Sequence, residues 1–260
     1  MKFCVKSRQP LHILKKVDEI RVEYRDREQI FDFLEKLENK TYLINIPANT
    51  EIDKNLISAF HEKANIILEL HHIDLYTIKW CKENEIKWCW AYPITTFYEL
   101  KAIVALGPNY LLLGAPLCFS LNKVSNYGIP IRLIANQAGL DYIPTLNGCC
   151  GPWVRPEAIP KYEKYVAAID FVSDNLTQEA TLLKIYSEDK CFTNNLRFLF
   201  KNFNLDIYNY DIPDTIEEER MICGQKCMEN RCTLCLSGIR FARSVEKLRK
   251  SLKPSENDNS

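Results

Sequence analysis

"IILELHHIDLYTIKWCKENEIKWCWAYPITTFYELKAIVALGPNYLLLG", residues 66–114, holds three apolar runs separated by two amphipathic stretches. Ile66 to Leu70 reads as a buried strand. Asp74 to Asn84 reads as a helix, and Lys87 to Tyr92 as a second strand ended by Pro93. Thr95 to Leu106 starts at a threonine cap and places Phe97, Leu100, Ile103 and Val104 on one helical face. Tyr110 to Leu113 is a third strand, closed by Gly114. The strands are continuous apolar runs. Strands covered on both faces by helices in a parallel sheet read that way.

The rhythm extends in both directions. Upstream lie a strand at Lys2 to Val5, a helix at Arg27 to Asn39, the strand Tyr42 to Ile46 and a helix at Asp53 to Ala64 with Asp53 as N-cap. Downstream lie a short helix at Phe119 to Asn126 and strands at Ile131 to Ala135 and Ala168 to Val172. Helices are expected at Pro156 to Tyr165, Thr177 to Ser187 and Asn194 to Asn204. The βα unit therefore recurs about seven times in the sequence, which predicts an α/β fold. Short connections favour a TIM-like (β/α) barrel, complete or lacking a unit, over residues 1–205. An open doubly wound sheet is the alternative. Neither G-x-G-x-x-G after the first strand nor G-x4-G-K-[ST] occurs, so the usual phosphate-binding signatures of such sheets are absent.

Composition bounds the function. The 260 residues carry 34 basic and 34 acidic side chains, a formal balance of zero. That lacks the positive field of a dedicated nucleic-acid binder. No apolar run approaches a membrane span, and the first residues, MKFCVKSRQPLHILKK, have no apolar signal segment. A cytoplasmic location is expected, where the 11 cysteines stay reduced. The sequon Asn175-Leu176-Thr177 is then accidental.

Residues 206–260 differ in character. An acidic stretch, Asp211 to Arg220, precedes "MICGQKCMENRCTLCLSG". There Cys223, Cys227, Cys232 and Cys235 fall within 13 residues with spacing C-x3-C-x4-C-x2-C. Four thiolates so close on a polar segment suit one shared metal centre. The spacing leaves a [4Fe–4S] cluster and Zn2+ both open. The basic helix Ile239 to Leu252 follows and could touch nucleic acid through Arg240, Arg243, Lys247, Arg249 and Lys250. It could equally be a solvated face. Cys4, Cys81, Cys89, Cys118 and Cys191 read as small core residues, and Cys149-Cys150 lies in a glycine-flanked loop.

In a βα barrel the chemistry gathers where strands end and βα loops begin. Those positions are Asn45, Glu69, His71, His72, Tyr92, Asn136, Gln137 and Asp170. Glu69 and Asp170 sit inside apolar runs, where a carboxylate must be paired or must change its pKa. With His71 they are the candidate acid–base residues. Asn136, Gln137 and Arg155 are the candidate substrate-binding residues, for a small molecule or nucleotide. Each has a structural alternative: a salt bridge, a turn cap or a helix-end contact.

The stretches "ITTFYELKAIVALGPNYLLLGAPL" and the clustered cysteines resemble the collagenase-like peptidase family. Relatives of that family are implicated in hydroxylation of RNA or ubiquinone precursors and carry a four-cysteine iron–sulfur centre. "CGPWVRPEAIPKYEKYVAAIDF" and "CGQKCMENRCTLC" also resemble an uncharacterised set of phage and gut-bacterial proteins of related fold. The resemblance covers about residues 41–240 and implies a barrel with a cysteine-held centre. The chain departs from the pattern in having no Arg-Gly-Cys signature and in crowding its four cysteines near the C-terminus. Peptidase activity is therefore not implied. The competing expectation is a non-catalytic protein in which zinc staples the basic helix to an inert barrel.

Overall fold

The structure is a computed structural model. It describes residues 1–114, 120–135, 154, 156–171, 173 and 175–187. Among these residues eight strands form one sheet: β1 (Lys2–Lys6), β2 (Glu19–Glu23), β3 (Thr41–Ile46), β4 (Asn65–Leu70), β5 (Lys87–Trp90), β6 (Leu111–Leu113), β7 (Ile131–Ile134) and β8 (Val166–Asp170). Helices alternate with them: α1 (Leu11–Leu14), α2 (Gln29–Leu34), α3 (Lys54–Lys63), α4 (Leu75–Glu83), α5 (Phe97–Leu106), α6 (Leu121–Val124), α7 (Ile159–Tyr162) and α8 (Leu176–Ser187). The strand order is β5-β4-β3-β2-β1-β8-β7-β6, with the ladders parallel.

The two end strands meet and close the ring. Cys89 pairs with Tyr110 and Ile94 with Leu113, both in parallel bridges. Asn109 works the seam from both its groups. Its backbone N–H donates to the Trp88 carbonyl at 2.8 Å, and its Oδ1 accepts the Trp88 N–H at 2.9 Å. Gly114 lets the chain pass close by, since a Cβ there would lie 2.8 Å from Cβ of Pro93. The fold is thus a (β/α) barrel of eight strands, built compactly with several helices of one turn.

The sequence pattern places most elements to within a residue or two. Asp53 and Asp74 cap α3 and α4 through their carboxylates. The cap of α5 is Thr96 rather than Thr95, in a reciprocal arrangement with Glu99. One strand escapes the pattern. Glu19–Glu23, EIRVE, alternates charged and apolar residues, and a search for continuous apolar runs passes over it. The count of about seven units becomes eight for that reason. The expected helix at Asn194 to Asn204, the cysteine segment and the helix Ile239 to Leu252 lie outside the described residues, as does the whole of 206–260.

The pleat of each strand sorts its side chains. Ile20, Val22, Ile44, Ile66, Leu68, Trp88, Leu111, Leu133 and Ile169 face outward into the large core shared with the helices. The alternate residues Cys4, Leu43, Ile67 and Cys89 form a separate small cluster inside the barrel, against Tyr110. Cys4, Cys81 and Cys89 are buried free thiols. Burial pushes the Cys81 thiol up to about 12, and raises Cys4 and Cys89 as well, so none is a thiolate at neutral pH. No helix among the described residues is long and apolar enough to cross a membrane.

Candidate active site at the barrel mouth

The inward positions of β2, β4, β7 and β8 carry charge. β2 supplies Glu19 and Arg21, β4 Glu69, β7 Arg132 and β8 Asp170. They form one alternating ladder through the barrel. Glu19 Oε2 accepts from Arg132 Nη1 at 2.5 Å. Arg132 reaches Asp170 with two bonds, Nε to Oδ2 at 3.1 Å and Nη2 to Oδ1 at 2.7 Å. Asp170 Oδ1 also accepts from Arg21 Nη2 at 3.3 Å. Arg21 then grips Glu69 with Nε to Oε2 at 2.6 Å and Nη2 to Oε1 at 2.8 Å. At the lower end Lys2 Nζ lies 3.9 Å from Glu19 Oε1. Three carboxylates thus meet three cations.

Such a ladder survives because every charge has an opposite neighbour. Taking an ion out of water costs several kcal/mol, offset only by close pairing. Both arginines would be depressed by burial, but their carboxylate neighbours hold them well above the ordinary value and they stay charged. Burial alone would raise Asp170. Arg132 and Arg21 outweigh it, aided by a hydrogen bond from the Cys4 thiol, and the carboxyl lies below its usual range. A group depressed in this way contributes its stability above the unfolded-state value of about 3.9, and that stability is lost as pH falls through the folded-state value. Urea unfolding should therefore show the protein weakening as pH drops below about 4. The Asp170→Asn variant should lose less on acidification than the wild type. An acid limb identical in the two would remove Asp170 as its source.

Exposure grades along the ladder. The side chains of Glu19, Arg132, Asp170 and Glu69 are nearly sealed, whereas that of Arg21 is 20% exposed. Arg21 is the point at which the ladder reaches the mouth, at the C-terminal ends of the strands. Its Nη1 makes no hydrogen bond to the described residues. Lys6 and Glu23 occupy the last inward positions of β1 and β2, in register with Arg21 and Asn45 respectively.

Next to this cation stands a polar and aromatic wall. Asn45 ends β3 in register with Glu69. Its Oδ1 lies 3.1 Å from His71 Nε2. The carbonyl oxygen can only accept, so the contact is a hydrogen bond when His71 Nε2 carries a proton. His71 meets Tyr92 edge-on with ring centroids 4.8 Å apart, and Tyr92 tilts onto Trp90 at 5.2 Å. A cleft of about 240 Å3 opens beside His71. Its lining includes Pro47, Thr50, His72 and Asp74 with Ile46 and Leu70 of the outer core, and does not include Arg21, Glu69 or Tyr92.

Of the candidate acid–base residues, the fold brings Glu69 and Asp170 onto one arginine and sets His71 one strand-layer above them. Asn136, Gln137 and Arg155 lie outside the described residues, as do Cys223, Cys227, Cys232 and Cys235. Among the described residues no group of three or more His, Cys, Asp or Glu is placed to hold a metal ion. The pattern reading missed Glu19, Arg21 and Arg132. The signal for Arg132 was present: a charge within the apolar run IRLI is the same feature that singled out Glu69.

No protein-family model matches the chain, and no curated protein matches it. Two of the solved structures that resemble it show the level of the likeness. One is a cube-shaped, highly porous protein cage designed by fusing symmetric oligomeric domains, at 10% identity and a TM-score of 0.39, covering 96% of this chain and 76% of that one. The other is described as native KDPGal, at 9% identity and a TM-score of 0.39, covering 93% of this chain and 95% of that one. Likeness at that level carries no argument about what this chain does.

Proposed function

We propose that the chain is a barrel enzyme, or an enzyme-like accessory factor, that takes a small molecule or nucleotide at the mouth formed by Arg21, Asn45, Glu69, His71 and Tyr92. The observation that carries this reading is the state of Arg21. Glu69 and Asp170 lock its guanidinium from below, and 20% of the Arg21 side chain stays exposed at the end of the ladder. Preorganised donors at the C-terminal end of a barrel suit substrate binding, because they need no reorganisation when the ligand arrives. His71 is the group suited to proton transfer, and Asn45 holds its ring in place. Glu69 and Asp170 are positioning residues, since each is already neutralised by an arginine.

The four C-terminal cysteines belong to the same proposal. Their thiolates are a soft donor set that fits a [4Fe–4S] cluster, with Zn2+ as the alternative. A cluster would supply electron transfer or Lewis acidity. Protein purified without oxygen should contain about four iron and four sulfide per chain and absorb near 400 nm. Zinc without sulfide would favour the alternative, and neither element would remove the metal centre from the proposal. The basic helix Ile239 to Leu252 offers the route to a nucleic-acid partner. Binding through it should weaken steeply with salt.

A second reading has one observation in its favour. Every buried charge in the ladder has an opposite partner, as a purely structural network would. Under it the barrel is a non-catalytic binding or structural protein with a zinc-stapled C-terminal helix. It requires His71 to be silent in function, which separates it from the first.

A further inference from the structure

Among the eight described strands lysine occurs at Lys2, Lys6 and Lys87. Lys2 and Lys87 open their strands, at the far end of the barrel from the mouth. Lys6 closes β1 at the mouth, on the inward side with Cys4 and opposite to Val5. It is partly buried, and its register partner on β2 is Arg21. The reading of the mouth as the binding site gives this lysine no role.

Little holds the Lys6 ammonium. Its Nζ donates to the Ser173 carbonyl at 3.4 Å and forms no ion pair with any described residue. The carboxylates nearby are committed elsewhere. Asp170 takes Arg132 and Arg21, and Glu69 takes Arg21. Glu179, buried on α8, accepts the backbone N–H of Lys6 at 3.2 Å and the Gln9 amide at 2.7 Å, not the ammonium. A lysine paired with a carboxylate is a fixed cation. One without that partner, set beside another cation, is an arrangement that makes the amine a nucleophile.

We propose that Lys6 is a nucleophile for carbonyl compounds and forms an iminium with an aldehyde or ketone at the mouth. This rests on the mouth being the binding site, and it names the class of molecule taken there. The Lys6 ammonium first gives one proton to water. The amine lone pair then bonds to the carbonyl carbon, and the carbonyl π pair moves onto oxygen. That oxygen takes a second proton from the nitrogen and the first one back from water. It leaves as water while the nitrogen lone pair closes the C=N bond. Both protons lost by nitrogen end on the departing water, and no oxidant or reductant is consumed. The iminium carries the same single positive charge as the ammonium, so the charge balance at the mouth is kept.

Reductive trapping on the full-length chain tests it, with propanal and glyoxylate as probes and cyanoborohydride to fix any iminium as an amine. Peptide mass mapping gives the rate at each lysine. Lys79 is the internal reference, because its side chain is 75% exposed. With at least one probe Lys6 should react faster than Lys79 by about tenfold or more, although it is the less exposed of the two. Lys6→Arg keeps the charge and removes the nucleophile, so the fast reaction should vanish while circular dichroism shows an intact fold. The wild-type rates decide the matter by themselves if that variant fails to fold. Lys6 reacting no faster than Lys79 with either probe would overturn the nucleophile. After that result the mouth would stand if a ligand that stabilises the protein against heat shifts the His71 15N signal, and would fall with the nucleophile if it does not. A fast reaction that persists in Lys6→Arg would belong to another residue and would also overturn the proposal.

Discussion

Arg132→Met should cost about 3–5 kcal/mol in stability, because removing one member of a buried ion network strands the others. Glu19 Oε1 already lacks a hydrogen bond, with Lys2 Nζ no nearer than 3.9 Å. Without Arg132, Glu19 would keep only that distant ammonium, and Asp170 only Arg21 at 3.3 Å. In a chain of this size the loss would lower the melting temperature by roughly 10 °C or more. A variant that replaces Glu19, Arg132 and Asp170 together with apolar residues should recover part of it. Buried pairs exchanged for well-packed hydrophobic groups are often neutral in stability, whereas a broken pair is not. Urea unfolding of the two variants measures both effects. A loss for Arg132→Met below about 1 kcal/mol would mean that the barrel interior is wet, for that is the level of a solvent-screened pair.

The second large effect is expected at His71. With any substrate that the mouth turns over, His71→Gln should lower the rate by about 100- to 10,000-fold, the span typical of a lost proton-transfer group. Glutamine keeps a donor toward Asn45 but has no titrating lone pair. The side chain is only partly buried and outside the ladder, so the unfolding free energy should move little. Glu69→Gln should behave differently. It loosens the clamp on Arg21, and stability and rate should fall together. Equal rates in wild type and His71→Gln would remove His71 as the proton-transfer group.

Much of the barrel was legible because its outer surface is apolar. Runs such as Tyr42–Ile46 and Ile66–Leu70 pack against helices on one side, and Glu69 is the one charged residue that they turn inward. The Asp53 and Asp74 caps were legible for a local reason, since each carboxylate bonds backbone N–H groups within its own first turn. β2 was not legible. Its inward residues are Glu19, Arg21 and Glu23, and the pairing of Glu19 and Arg21 depends on Arg132, Asp170 and Glu69, which are far off in sequence. Two members of the ladder, Glu69 and Asp170, were visible as isolated carboxylates in apolar runs. The arginines that neutralise them could be assigned only once the strands were side by side. Tyr92 stood out as a strand-end residue, but its contact with His71 depends on how β4 and β5 leave the sheet.

The claim that the mouth is the binding site is tested most directly by the histidine side-chain 15N spectrum of the full-length chain. The sequence contains four histidines: His12, His61, His71 and His72. A ligand that stabilises the protein against heat should shift the His71 signal, identified by its loss in His71→Gln, and leave those of His12 and His61 in place. A stabilising ligand that leaves His71 unmoved would put the site elsewhere on the molecule.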